Sequence, residues 1–212
     1  MVMLQLKVVV GSTRPGRAAD LVTPWVVQRA VAHGGFQVEV LDLRDWPLPM
    51  FAETMESIGN FADPTYSDPI VKRWNQTVKT GDAFLVITTE YNHSVPGVLK
   101  NALDNVFFSD ALRNKPMGFV GYSAGPIGAA RAIEHLAHID IEADGVPLRN
   151  TVLVGNVGQA FVDGEPTSKA SDVALQITLD DLQWWGNALH AARAQGELRP
   201  GNARFRAGLA AS

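Results

Sequence analysis

The sequence predicts one α/β domain in which helices cover both faces of a parallel sheet. Three observations carry this. Short, valine-rich apolar runs alternate with helix-like segments five times along the chain. Most of these runs are apolar at consecutive positions, the pattern of strands buried on both faces. Loops of unusual composition follow the first, third and fourth runs, at the carboxyl strand ends where open α/β sheets build their sites.

Leu4 to Val10 is the first strand, ending at Gly11. Residues 18 to 33 are helix-like, and Gly34-Gly35 supplies the stop. Phe36 to Leu43 alternates and reads as the second strand. Residues 44 to 68 carry prolines at 47, 49 and 64 without clean periodicity. They form a long loop with room for one helical turn, and such loops are often functional or interfacial. Pro69 to Thr80 is a helix with proline at its start. Asp82 to Thr89 is the third strand, residues 97 to 107 a helix, and Pro116 to Ser123 the fourth strand. Residues 126 to 139 form the next helix, and Thr151 to Gly155 the fifth strand. Residues 171 to 194 form the last helix, with Ser171 as its expected cap. The domain is placed at residues 1–195. The tail, 196–212, carries Arg199, Arg204 and Arg206 and is expected to be loosely ordered or to lie on a partner subunit.

Composition narrows the function. The 212 residues suit one domain, with 46% apolar and 19% charged residues. A net charge of -4 argues against a nucleic-acid partner. The absence of cysteine excludes disulfides, thiolate nucleophiles and cysteine-ligated clusters. The start MVMLQLKVVVG is interrupted by Gln5 and Lys7 and lacks a small-residue cleavage site, so it reads as a strand and not a signal peptide. No apolar run is long enough to span a membrane. A cytoplasmic protein is expected, with no membrane and no nucleic acid among its partners.

Three loops carry the chemistry. Gly11 to Arg17 (GSTRPGR) joins a strand to a helix. Its glycines allow tight turns, Ser12 and Thr13 offer hydroxyls, and Arg14 and Arg17 add charge beside free helix N–H groups. That describes a phosphate cradle, without the Walker ending or the dinucleotide glycine spacing. The bland reading is an ordinary turn with two solvated arginines. Thr89 to Gly97 (TEYNHSVPG) suits a planar heterocycle: Tyr91 to lie on a ring face, Asn92 and backbone groups to bond its edges. His93 serves the ring edge or caps the next helix; Glu90 is a general base or makes a structural hydrogen bond. Tyr122 to Ala132 (YSAGPIGAARA) has small residues at Ser123, Ala124 and Gly125, which let a flat ring approach the backbone or a helix pack on the sheet.

Together the loops resemble the NAD(P)H-dependent FMN reductase family of flavodoxin-like flavoproteins. That family shows G-S-x-R after its first strand, P-E-Y-N after its third and S-x-G-x-x-G after its fourth. Here these stand as Gly11-Ser12-Thr13-Arg14, Thr89-Glu90-Tyr91-Asn92 and Ser123-Ala124-Gly125-Pro126-Ile127-Gly128, within residues 1 to about 165. The resemblance implies a flavodoxin-like three-layer sandwich with a five-stranded parallel sheet in the order 2-1-3-4-5. It implies that Ser12 and Arg14, with Arg17, hold the FMN phosphate. It implies that Thr89, Glu90, Tyr91, Asn92 and His93 line one side of the isoalloxazine, and that Ser123, Ala124 and Gly125 meet its pyrimidine edge. NADPH or NADH is the implied donor, a small-molecule electron acceptor the implied partner, and a homodimer or homotetramer the implied assembly. Thr89 stands where the family has proline, and Ala129 where a second glycine is frequent.

Hydride transfer through a flavin needs no protein acid or base at its centre, so no side chain is singled out as catalytic. The rivals are an electron carrier between proteins, which a strongly charged face would favour, and a nucleotide-binding or interaction protein without redox use. His135 and His138 match no standard zinc spacing, and no metal is expected. Trp184-Trp185 are expected to help bury the last helix, and Trp46 and Trp74 to contribute to a subunit contact.

Overall fold

The computed structural model describes residues 3–60 and 64–211. Residues 1, 2, 61–63 and 212, parts of the expected domain, long loop and tail, lie outside the described residues. Strands β1 (Leu4–Val10), β2 (Phe36–Asp42), β3 (Ala83–Thr89) and β4 (Pro116–Tyr122) pair in parallel in the order β2-β1-β3-β4. The fifth position is shared by two short strands, β5 (Val146–Pro147) and β6 (Val152–Val154), both parallel to β4. The expected order is therefore observed, with its last strand split. A separate antiparallel pair joins β7 (Phe161–Val162) to β8 (Glu165–Pro166).

Every residue of β3 and β4 is buried, as two-faced burial requires. One core layer lies against helices α1 (Ala19–His33) and α6 (Lys169–Ala194) and includes Val8, Val10, Trp25, Val120 and Leu179. The other lies against α3 (Pro69–Lys79), α4 (Gly97–Asp104) and α5 (Ala130–Glu142) and includes Val9, Trp74, Phe84, Phe119 and Leu136. These are the three layers the sequence implied.

The long loop after β2 is built as well as long. It holds a short helix, α2 (Met55–Ile58), closed by a reciprocal Thr54–Ser57 capping box. Asn101 of α4 ties it down, accepting from Phe51 N (2.8 Å) and donating to the Pro49 carbonyl (2.9 Å). Buried Glu53 accepts from Ser67 N (3.0 Å), Ser67 Oγ and Ser57 Oγ. Burial alone would raise that carboxyl's pKa; the three donors hold it below the ordinary value.

Several details differ from expectation. Helix α5 begins at Ala130, not 126, because the chain first turns through Gly128 (φ 64°) and Ala129 (φ 65°). A side chain on Gly128 would press on the Leu153–Val154 backbone. The left-handed Ala129 gives the physical reason for a glycine at that position elsewhere. Helix α6 starts at Lys169 with Ser168 at its N-cap, so Ser171 lies inside the first turn. Trp184 and Trp185 do not bury that helix: they are 66% and 40% exposed. Trp74 belongs to the core, donating to the Ala102 carbonyl (2.9 Å), with half-buried Trp46 packed edge-on against it. The tail contains helix α7 (Gly201–Ala210), and its approach is held by Arg113 donating to the Leu198 carbonyl and Asn114 to Glu197 (2.7 Å).

Asp140 of α5 is 1% exposed, and neither carboxyl oxygen has a hydrogen-bond partner among the described residues. Burial pushes its pKa up to about 8 from an ordinary 3.8. The fold keeps the proton where the unfolded chain has lost it, so stability falls as pH rises from about 4 to about 8. Asp140→Asn removes the ionisable group and keeps its size. Thermal unfolding should show a higher Tm for the variant at pH 8.5 and a much smaller gain at pH 5; equal gains at both would contradict the assignment.

Candidate functional site

The ladder hydrogen bonds of β1, β3 and β4 end together, and the three marked loops leave from those ends. Between them lies a cleft of about 170 Å³. Arg14, Gly16, Arg17 and Ala18 line it from the first loop, Thr89 and Tyr91 from the second, and Tyr122 and Ala124 from the third, with Val157.

The first loop is pinned and yet rich in free donors. Gly11 N donates to the Ile87 carbonyl of β3 (2.8 Å). Ser12 has no exposed surface; its Oγ shares a hydrogen bond with the Tyr122 hydroxyl (2.8 Å), and its carbonyl accepts from Arg17 Nη1. The backbone N–H groups of Thr13, Arg14 and Gly16 have no acceptor among the described residues. Arg14 is exposed, its guanidinium 5.6 Å from the centre of the Tyr91 ring.

Arg17 is placed differently from Arg14. Its guanidinium makes a bidentate pair with Asp42 at the end of β2 and bonds Asp20 of α1 (2.9 Å). The Asp42 pair is the largest influence on Arg17 and raises its pKa. Burial by itself raises the Asp42 pKa, and Arg17 with the Arg44 N–H hold it below the ordinary value. Arg17 thus braces the turn with its charge already balanced, and Arg14 is the arginine of this loop that faces the cleft uncommitted to a carboxylate.

The second loop is a tight turn. Tyr91 N donates to the Ser94 carbonyl (2.9 Å) and Ser94 N to the Tyr91 carbonyl (3.0 Å), with Asn92 at φ 51° and His93 at φ 64° between them. Two successive positive φ values match a type I′ turn, where asparagine is well tolerated. Thr89 is mostly buried at the strand end. Glu90 points inward: one oxygen pairs with Arg131 of α5, and the other is buried without a hydrogen-bond partner among the described residues. Arg131 also donates to His93 Nε2 (3.1 Å), the nitrogen acting as acceptor in this contact. Ser94 Oγ bonds His135 Nδ1 (2.8 Å).

Ser123 closes the third loop on itself. Its Oγ donates to the Gly125 carbonyl (2.8 Å) and accepts from Gly128 N (2.9 Å). The N–H groups of Ala124 and Gly125 have no acceptor among the described residues, and the space beside Gly125 is open. One end of the cleft therefore offers unpaired N–H groups and Arg14 to an anion. The other offers an aromatic face and turn N–H groups to a flat, polar ring. Tyr122, Asp42 and Arg131 were missed as members of this arrangement. Tyr122 looks like an ordinary strand end, and nothing in the sequence brings Asp42 to Arg17 or Arg131 to Glu90.

Comparison with known proteins agrees with the geometry. The family model for NADPH-dependent FMN reductase matches residues 4–159. An NAD(P)H-dependent FMN reductase of Schizosaccharomyces pombe is 30% identical over 135 residues, 64% of this chain and 64% of that protein, somewhat under two thirds of its length. One from Pseudomonas aeruginosa is 31% identical over 155 residues, 71% of this chain and 79% of that one. A quinone reductase of Escherichia coli is 30% identical over 182 residues, covering 84% and 89%. Among solved structures, the flavoenzyme FerB, an NAD(P)H:(acceptor) oxidoreductase from Paracoccus denitrificans, superposes with a TM-score of 0.70 at 25% identity over 87% of this chain and 98% of that one.

The Arg17–Asp42 pair generates a prediction. Arg17→Met should destabilise the fold by about 2 kcal/mol at pH 7, between the values of exposed and fully buried pairs. Because the Asp42 pKa is depressed in the fold, that contribution is present above the unfolded value and lost as pH falls through the folded one. Urea unfolding at pH 7 and again near pH 3 should show the difference between the two proteins shrinking in acid.

Proposed function

This chain belongs to the NADPH-dependent FMN reductase family, and from that premise we propose that its cleft holds FMN and that the protein is an NAD(P)H-dependent oxidoreductase of small, quinone-type acceptors. The observation that carries the reading is the set of N–H groups at Thr13, Arg14 and Gly16 without an acceptor among the described residues, in the loop whose Arg14 and Gly16 line the cleft with Tyr91 and Ala124. Orphan donors beside an uncommitted arginine fit a phosphate dianion. Bound FMN would supply the two-electron chemistry, taking reducing equivalents from NADPH or NADH and yielding them to the acceptor.

The chain's own part is binding, orientation and electrostatics. Arg14 and the first-loop N–H groups hold the phosphate, with Ser12 and Arg17 keeping that turn in place. Thr89 to His93 present Tyr91 and the turn backbone to one side of the ring system. Ser123 shapes its loop so that the N–H groups of Ala124 and Gly125 point at the polar ring edge, where they stabilise negative charge as preorganised dipoles. The quinone reductases among the relatives support the acceptor class.

The same reading includes a homodimer or homotetramer. The cleft is small beside the roughly 300–1,000 Å³ of typical ligand pockets, so part of a flavin would stand above its rim. Met50, Phe51, Met55 and Phe107 are exposed apolar residues of the kind a second subunit covers. Among the described residues no helix is long and apolar enough to cross a membrane. A pyridine-nucleotide donor supports a cytoplasmic setting.

Titration with FMN should quench flavin fluorescence to a stoichiometric end point, and the loaded protein should oxidise NADPH or NADH when a benzoquinone is added. Loss of one charge-assisted hydrogen bond, about 1.5–3 kcal/mol, predicts that Arg14→Ala raises the FMN Kd by about 10- to 100-fold. A protein that takes up no FMN would sink the proposal.

A further inference from the structure

Tyr122 ends β4, and β3 separates it from β1 in the sheet. Its hydroxyl nevertheless reaches Ser12, at the exit of β1, in a buried hydrogen bond of 2.8 Å between residues 110 apart in sequence. The phenol therefore crosses the end of β3 and forms part of the cleft. Tyr122 itself is 3% exposed.

Ser12 is held at its side-chain oxygen by Tyr122 and at its carbonyl by Arg17. The neighbouring Gly11 is bonded to β3. The turn that follows, Thr13 to Gly16, springs from this fixed post and carries the unpaired N–H groups. Ser12 has no exposed surface, so its influence on a ligand runs through the placement of those N–H groups. Donors held in position before the ligand arrives bind it more tightly than donors that must be ordered on binding. A hydrogen bond that fixes Ser12 thus acts at the anion-binding end of the cleft and leaves the ring-binding end alone.

We propose that Tyr122 is a positioning residue that acts through Ser12 on the phosphate-binding turn, and so sets the preference of the cleft for phosphorylated over unphosphorylated flavin. The proposal rests on the flavin reading of the cleft. Tyr122 is neutral in this role: burial, the main influence, raises its pKa above the ordinary phenol value, so the hydroxyl keeps its proton. The bond joins two hydroxyls, and either oxygen can be the donor.

Tyr122→Phe keeps the ring that lines the cleft and removes only the hydroxyl. Flavin-fluorescence titrations with FMN and with riboflavin, on the unaltered protein, Tyr122→Phe, Ser12→Ala and the double variant, test the proposal. Each single variant should weaken FMN binding by about tenfold, a loss on the scale of one hydrogen bond, and change riboflavin binding less than about twofold. Because the two residues act as one unit, the double variant should be no worse than either single one. An equal loss for both flavins, additive losses, or no loss at all would overturn the proposal. Should Tyr122→Phe not fold, Ser12→Ala decides alone: an unchanged ratio of riboflavin to FMN affinity overturns it. If the unaltered protein binds neither flavin, it is the flavin reading that fails, and the two failures are told apart by that first titration.

Discussion

The parallel ladder of β1, β3 and β4 is the constraint on which the rest depends. Inside the sheet each backbone N–H and C=O must find a partner, because the strands are covered on both faces. At the carboxyl ends the pairing stops for all three strands at nearly the same level. The chain leaves there with donors that the ladder no longer uses. Some are taken up again: Gly11 N by Ile87, Ser123 N by Val154, Tyr91 N by Ser94. Those of Thr13, Arg14, Gly16, Ala124 and Gly125 find no acceptor among the described residues. The site is made of what secondary structure leaves unsatisfied, gathered into one place because three strands end side by side.

Charge is arranged on the same principle. The two arginines of the first loop have alike sequence settings and unlike surroundings. Arg17 is surrounded by Asp42, Asp20 and a carbonyl, and its charge is balanced inside the protein. Arg14 rests against an aromatic face, a weak attachment of about 0.5–1 kcal/mol at an exposed site that a dianion readily displaces. The second loop repeats the division, with Arg131 bound to Glu90 and His93 behind the turn while Tyr91 stands at the cleft. In both loops the braced residues lie behind and the uncommitted ones in front.

Much of this was legible in the sequence. The strands, the three loops and the helices follow from apolar runs and glycine stops, which are local signals, whereas the strand order was implied by the family resemblance. Element boundaries slipped where a non-local contact decided them: α5 starts late because Gly128 packs against β6, and the last strand is split. The tryptophans were misjudged because size alone does not tell a core position, as at Trp74, from an exposed one, as at Trp184. Within the site, residue types near a strand end were readable. Pairings between distant residues, Tyr122 with Ser12 or Arg131 with Glu90, were not, because no periodicity encodes which side chain meets which across a sheet.

The division of the fifth sheet position has a consequence of its own. An open sheet has two edges, and each exposes a row of donors and acceptors that another chain can extend into an aggregate. Here one edge is broken into Val146–Pro147 and Val152–Val154, the first ending in a proline that has no N–H to offer. The opposite edge, β2, sets Gln37 and Glu39 along its length, and Glu39 is paired with buried Lys7 of β1. Neither border presents a long, flat, apolar strand. The split strand still gives Val152 and Val154 to the core, and its break gives a protein with unpaired backbone donors at its strand ends a safeguard against polymerising through its sides.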